Sequence, residues 1–173
     1  MLELNCPAPN FELADLDGSL HCLSDSRGRI VVLNFWSAEC PWAERADREL
    51  LSYFKEWGGR VILLTIAANA HEPDLQCAAA ARTQGLPFVL RATPEVLDAY
   101  AAQTTPHLFV VDTDGILRYR GALDDVAFRQ REPTRLFLKD AVETLLAGRL
   151  PKIQESAPYG CTIIRFVLES NCD

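Results

Sequence analysis

Cys40 is the residue of this chain whose surroundings point most directly to chemistry. It lies in Trp36-Ser37-Ala38-Glu39-Cys40-Pro41-Trp42-Ala43, between the apolar run Ile30 to Phe35 and the charged segment Glu44 to Lys55. The run predicts a buried strand and the segment a helix, which puts Cys40 where strand turns into helix. The reactive form of cysteine is its thiolate, and the unpaired N–H groups and dipole of a helix N-terminus favour an anion. Pro41 suits the first helical turn, where a missing N–H costs nothing. A C-x-x-C redox pair would carry its second sulfur at position 43, and here that residue is Ala43. Any thiol that resolves an oxidised or mixed-disulfide Cys40 must come from elsewhere in the chain or from outside it.

Five more cysteines are available: Cys6, Cys22, Cys77, Cys161 and Cys172. Their spacings match no zinc pattern, and His21, His71 and His107 are single and scattered, so no metal site is expected. Most lone cysteines are small buried hydrophobes, which is the ordinary reading for Cys6, Cys22 and Cys77.

The elements that must position Cys40 follow from the pattern of apolar runs and breakers. Residues 1–28 read as an N-terminal extension, with a hairpin turning at Asp15-Leu16-Asp17-Gly18 and a turn or short helical element from Ser24 to Gly28. Ile30 to Phe35 has the continuous apolar character of a central strand covered on both faces. A helix runs from Pro41 to Trp57 and stops at Gly58-Gly59; Arg60 to Ala67 is a second buried strand. Helices follow from Glu72-Pro73-Asp74 to Gln84-Gly85 and from Pro94 to Ala102, with a short extended segment at Phe88 to Leu90 between them. A hairpin over 107–120 turns on Asp114-Gly115, and the last long helix is expected from Pro133 to Ala147. Strand–helix–strand followed by hairpin–helix predicts an α/β fold with a mixed central sheet, a main domain over 29–148 and a C-terminal tail over 149–173. Within the tail, Thr162 to Leu168 could add an edge strand or dock on a neighbour.

The arrangement resembles the thioredoxin-like redoxins, the superfamily of thioredoxins, TlpA/ResA-type proteins and AhpC/TSA-type peroxiredoxins. Thr104-Thr105-Pro106-His107-Leu108-Phe109-Val110-Val111-Asp112 is similar to the family's cis-proline strand, which lies beside the active cysteine. Asp114 to Gly121 resembles the hairpin that follows, and Pro7-Ala8-Pro9-Asn10-Phe11 the N-terminal "PAPDF" segment. The matches run over residues 5–147 in the family's order. The resemblance implies a thioredoxin-like fold, a central mixed sheet flanked by helices. It makes Trp36, Pro41, Trp42, Thr105 and Pro106 neighbours of the active thiol.

Two templates compete within that group. A peroxide-reducing thiol needs a hydroxyl to place the peroxide and a cation to stabilise developing charge. In peroxiredoxins a Thr or Ser three residues before the cysteine and a distant arginine supply them. Ser37 and Arg118 stand in similar contexts, whereas the proline of that motif is replaced by Leu33. In the thioredoxin template, Ala43 removes the second thiol and Asn34 replaces a buried Asp, so dithiol exchange through the usual pair is excluded. The expected activity is therefore a thiol oxidoreductase, read first as an antioxidant peroxidase. In it Cys40 attacks, Ser37 and Arg118 orient the peroxide, and Cys161, Cys77 or an external thiol resolves the sulfenic acid. The alternatives are a monothiol/disulfide exchange oxidoreductase, or a non-catalytic redox sensor or binding module that holds a partner's strand in the Thr105-Pro106 groove. The ordinary readings stand beside these roles: Arg118 as a hairpin charge paired with Asp112 or Asp125, Ser37 as a cap of the turn, and Glu44 paired with Arg48.

Composition narrows the partners. Apolar residues make up 49% and charged ones 24%, and the formal charge is −7, which gives nucleic acid no basic patch to hold. No stretch approaches the ~18 apolar residues of a membrane span, and Met1-Leu2-Glu3-Leu4-Asn5 lacks the features of a signal peptide. The expectation is a cytoplasmic protein, or a periplasmic one if a signal peptide has been removed, without an organic cofactor. Its expected partners are a peroxide or a small thiol or disulfide, and a cellular reductant such as a thioredoxin-like protein or a low-molecular-weight thiol. Resolution across a dimer leaves a homodimer open.

Overall fold

A computed structural model describes residues 2–166, so Cys172 and the end of the Thr162 to Leu168 run lie outside the described residues. The N-terminal segment forms the hairpin β1 (Glu12–Ala14) and β2 (Leu20–Cys22), paired antiparallel. Its turn is built by Asp15, whose Oδ1 accepts the N–H groups of Asp17 and Ser19 at 3.0 and 2.9 Å.

The central elements follow in order: β3 (Ile30–Trp36), α1 (Pro41–Trp57), β4 (Val61–Ala67), α2 (Asp74–Gln84), β5 (Leu90–Arg91), α3 (Pro94–Ala99), β6 (Thr104–Thr105), β7 (His107–Val111), β8 (Leu117–Gly121), α4 (Phe137–Leu146) and β9 (Cys161–Thr162). The main sheet has the order β5-β4-β3-β7-β8. β3 and β4 run parallel, as do β4 and β5, while β7 is antiparallel to β3 and β8 antiparallel to β7. This is the mixed α/β sheet that the pattern of runs predicted.

β3 is the axis of the molecule, with all seven residues buried. Side chains alternate across a strand, so Ile30, Val32 and Trp36 face one cluster with Leu50, Leu138 and Val142, residues of α1 and α4. Val31, Leu33 and Phe35 face the other, with Phe11, Leu13, Tyr100 and Phe109. Tyr100 joins the N-terminal segment to this second face by donating from its hydroxyl to the Pro9 carbonyl at 2.7 Å. Among the described residues, no helix is long and apolar enough to cross a membrane.

One helix starts later than its sequence suggested. α4 begins at Phe137 rather than at Pro133. The Asp125 carboxylate explains the delay, because it captures the N–H groups of Thr134 and Arg135, at 2.8 and 3.1 Å, together with the Thr134 hydroxyl. Donors bound to a side chain outside the helix hold residues 134–135 in a loop.

The apolar core contains one carboxylate from α1. Asp47 is fully buried, accepts from Trp36 Nε1 at 2.7 Å and lies 3.4 Å from Asn34 Nδ2. Burial dominates its environment and pushes its pKa from 3.8 up to about 7 against those hydrogen bonds. A folded-state pKa raised above the unfolded one adds stability below pH 3.8, and that stability is lost as pH rises through about 7. Asp47→Asn should therefore flatten the stability profile between those values and stabilise the protein relative to wild type at pH 8, as denaturant unfolding at a series of pH values would report. A wild-type profile without a fall over that window would contradict this assignment.

Candidate active site

Local sequence builds the first half of the site. Cys40 is the N-cap residue of α1, with extended backbone (φ −89°, ψ 115°) and Pro41 at the first helical position. Its carbonyl accepts the Glu44 N–H at 3.0 Å. The thiol is only 3% exposed. Cys40 Sγ lies 2.8 Å from the carbonyl oxygen of Thr105, the residue before Pro106, and the Thr105-Pro106 peptide is cis.

The second half comes from the far end of the chain. β9 pairs antiparallel with β6, with Thr105 opposite Cys161 and Thr104 opposite Thr162. That register sets Cys161 Sγ 2.6 Å from Cys40 Sγ, and both cysteines are free thiols. A small shift would close this gap to the ~2.05 Å of a disulfide bond. Burial, first, and then the Cys40 sulfur beside it push the Cys161 thiol up to about 12.

A series of specific contacts holds the tail there. Ser156 accepts the Ala122 N–H at 2.9 Å and meets the Tyr119 hydroxyl at 2.7 Å, while Arg120 and Gln154 join backbones at 3.0 Å. Tyr159 packs edge-on against Trp42 with ring centroids 4.9 Å apart, and its hydroxyl accepts the Phe128 N–H at 2.8 Å. Gly160 passes so close to Thr105 that a Cβ there would collide with the Thr105 carbonyl. Beyond Cys161, Ile163 N–H donates to Gln103 at 3.1 Å, and Arg165 reaches Asp98 at 2.5 Å and the Ala102 carbonyl at 2.8 Å.

The remaining residues singled out from sequence have different surroundings. Ser37 is buried, and its hydroxyl donates to Glu72 while accepting the Glu39 N–H at 3.2 Å. It holds the loop rather than facing an open peroxide site. Arg118 is also a correction: it pairs with Asp112 at 2.6 Å and with Asn5 at 2.9 Å. Asp112 follows Val111, whose partner is Val31 near the start of β3, whereas Cys40 lies beyond Trp36 at the other end. That is a separation of roughly 16 Å along the strand. Attraction between opposite charges at the hairpin accounts for where Arg118 goes. Cys77 is fully buried on α2, with Arg91 3.5 Å and Glu72 3.8 Å from its sulfur, and burial pushes its thiol up. Neither Arg118 nor Cys77 is brought to Cys40. His107 is a core histidine beside Phe109 whose pKa burial lowers to about 4. Arg48 pairs with Glu44 at 2.9 Å on the exposed face of α1.

Sequence reading missed the carboxylate that organises the loop. Glu72, 3% exposed, accepts from Ser37, from the Ala38 N–H at 2.9 Å and from Asn69 Nδ2 at 2.9 Å. One signal was available: Glu72 precedes Pro73-Asp74 at a helix start, where acidic residues gather. Glu39, His71 and Glu72 bring ligand-type atoms within 4.8 Å of one another. The Glu72 oxygens already receive these three donors, and Glu39 binds His71 at 3.2 Å and Gln76 at 2.7 Å. The arrangement does the work of a hydrogen-bond network that clamps the Cys40 loop to the start of α2.

The close approach at Gly160 can be tested directly. Gly160→Ala should lift β9 from β6 and raise the alkylation rate of Cys40 by about tenfold, at a stability cost of about 1–3 kcal/mol. Mass spectrometry of iodoacetamide-treated protein and thermal unfolding would measure the two effects, and an unchanged Cys40 rate would rule out the tail as its cover.

Comparison with known proteins follows the same outline. The AhpC/TSA family model matches residues 4–120. The thiol-disulfide oxidoreductase ResA of Geobacillus kaustophilus is 38% identical over 113 residues, 62% of this chain and 63% of that protein. ResA of Geobacillus thermodenitrificans is 36% identical over the same shares. The chain thus spans less than two thirds of the length of these relatives. Among solved structures, an uncharacterized conserved protein from Geobacillus kaustophilus superposes with a TM-score of 0.85 at 27% identity, over 95% of this chain and 93% of that one. A hypothetical protein from Sinorhizobium meliloti 1021 gives 0.85 at 25% identity over 97% of each. The thioredoxin domain of a thiol-disulfide oxidoreductase from Bacteroides vulgatus shares the fold, with a TM-score of 0.66 at 20% identity over 84% of this chain and 99% of that one. The thioredoxin-like fold, the cis-proline strand beside Cys40 and the family match together make this chain a member of the AhpC/TSA family.

Proposed function

We propose that this protein is a thiol–disulfide oxidoreductase whose working pair is Cys40 and Cys161. The observation that carries this reading is the 2.6 Å approach of the two sulfurs across the β6–β9 pair. Its named relatives being thiol-disulfide oxidoreductases supports it further. Cys161 supplies from the tail the second thiol that Ala43 cannot, so the exchange is dithiol rather than monothiol.

In the forward direction the Cys40 thiolate attacks one sulfur of a disulfide substrate, forming a mixed disulfide and releasing the first substrate thiol. The Cys161 thiol, raised first by burial and then by the neighbouring Cys40 sulfur, stands next to Cys40 Sγ and resolves this mixed disulfide. Its attack on Cys40 Sγ forms the intramolecular disulfide and releases the second substrate thiol. An external thiol reductant then restores the pair. With Cys40 nearly covered, β9 must part from β6 to admit a bulky substrate.

Peroxide reduction loses the two groups on which it rested, because Arg118 is paired with Asp112 and the Ser37 hydroxyl with Glu72. A redox sensor or binding module that holds a partner's strand would find the β6 edge already taken by β9.

Turnover should be followed as glutathione-coupled reduction of a small disulfide. Cys40→Ser and Cys161→Ser should each cut it by at least about a hundredfold, and Cys161→Ser should trap a mixed disulfide on Cys40. Cys77→Ala should stay within about twofold of wild type, since that thiol takes no part in the exchange. Full turnover by Cys161→Ser would refute the dithiol mechanism. Faster consumption of hydrogen peroxide than of disulfide would favour the peroxidase.

A further inference from the structure

Glu72 and Asn69 take no part in the exchange itself, yet they connect the two segments that carry the sulfurs. Asn69 is 5% exposed and has two partners of different origin. Its Nδ2 donates to Glu72 at 2.9 Å, and its Oδ1 accepts the Ile164 N–H at 2.8 Å. The neighbouring Ala70 N–H donates to the Ile164 carbonyl at 2.8 Å. Glu72 in turn holds the Ser37 hydroxyl and the Ala38 N–H, three and two residues before Cys40. Ile164 stands three residues after Cys161. A closed circuit results, running from Cys40 through Ala38, Glu72, Asn69 and Ile164 to Cys161, with the sulfur–sulfur approach closing the loop.

We propose that Asn69 and Glu72 are positioning residues that set how readily the Cys40–Cys161 disulfide forms. The proposal rests on the dithiol reading above. β9 is only two residues long, and its other anchors tie the tail to β6, α3, the β8 edge and, through Tyr159, to Trp42 at the start of α1, leaving the Asn69–Glu72 link to reach the loop before Cys40. The Asn69–Glu72 link fixes one sulfur relative to the other. Confining two thiols raises their effective concentration, and loosening the link lowers it. Both groups are buried, so each lost hydrogen bond is felt with little relief from water.

The measured reaction is that of the reduced protein with oxidised glutathione. The Cys40 and Cys161 thiols give up two electrons and two protons, one sulfur–sulfur bond forms between them, and the glutathione disulfide becomes two thiols. Its equilibrium constant should fall about five- to tenfold in Asn69→Ala and in Glu72→Gln. The double variant should fall no further than the worse single one, because both changes break the same circuit. In the reduced proteins, alkylation of Cys40 should speed up about fivefold or more in both variants, a readout that needs no disulfide to form. An equilibrium constant unchanged in Asn69→Ala despite a lowered melting temperature would reduce the circuit to ordinary scaffolding and overturn the proposal. Additive losses in the double variant, or unchanged Cys40 alkylation, would overturn it as well. A wild-type protein that forms no Cys40–Cys161 bond under these conditions would instead remove the dithiol reading, and the alkylation rates would then decide the circuit alone.

Discussion

The pairing of β9 with β6 is short, yet the chemistry of the site depends on it. Thr105 opposes Cys161 in that ladder, and the same Thr105 offers its carbonyl to Cys40 Sγ. One residue beside the cis-proline thereby sets both thiols in a common frame. A slip of one residue in this register would turn Cys161 to the opposite face, because side chains alternate along a strand. The close passage of Gly160 over Thr105 and the Tyr159–Trp42 contact oppose such a slip from the N-terminal side. Asn69 and Ile163 oppose it from the other side.

The fold around this frame accepts buried polar groups where they organise something. Glu72 meets three donors and fixes the loop before Cys40. Asp47 occupies the space behind Trp36, and burial keeps its proton on to about pH 7. Asn34, the central residue of β3 on that face, leaves its Oδ1 without a partner, and a protonated Asp47 can offer a donor to it once the amide is turned. Glu72 is surrounded by N–H and O–H donors, whereas Asp47 meets only Trp36 and Asn34 among the described residues.

Much of the fold could be read locally. The continuous run of β3, Pro41 opening α1 and Asp114-Gly115 between β7 and β8 are short-range signals, and each element formed where they indicated. α4 was displaced by a carboxylate that reads in sequence as an ordinary turn residue. Within the site, Cys40 and the Thr105-Pro106 strand were legible because each lies in its own recognisable stretch. Glu72 was not, since an acid before Pro-Asp looks like any helix-start residue until β4 is laid beside β3 and burial turns it inward. Arg118 was misassigned because its hairpin context is shared with a different arrangement; the Asp112 charge six residues away in sequence decides where it points.

By itself, the sequence determined that a single cysteine begins a helix at the end of a buried strand, with its nearest usual partner replaced by a methyl group. Only the tertiary structure decided which thiol replaces that partner. Cys161 lies 121 residues from Cys40, and β9 is too short to show a strand period of its own. Its position comes from backbone pairing with β6 and from part-buried hydrogen bonds at Asn69 and Ser156, interactions between segments far apart along the chain. Such contacts have no local pattern, because they depend on what lies opposite in space rather than on what comes next in sequence.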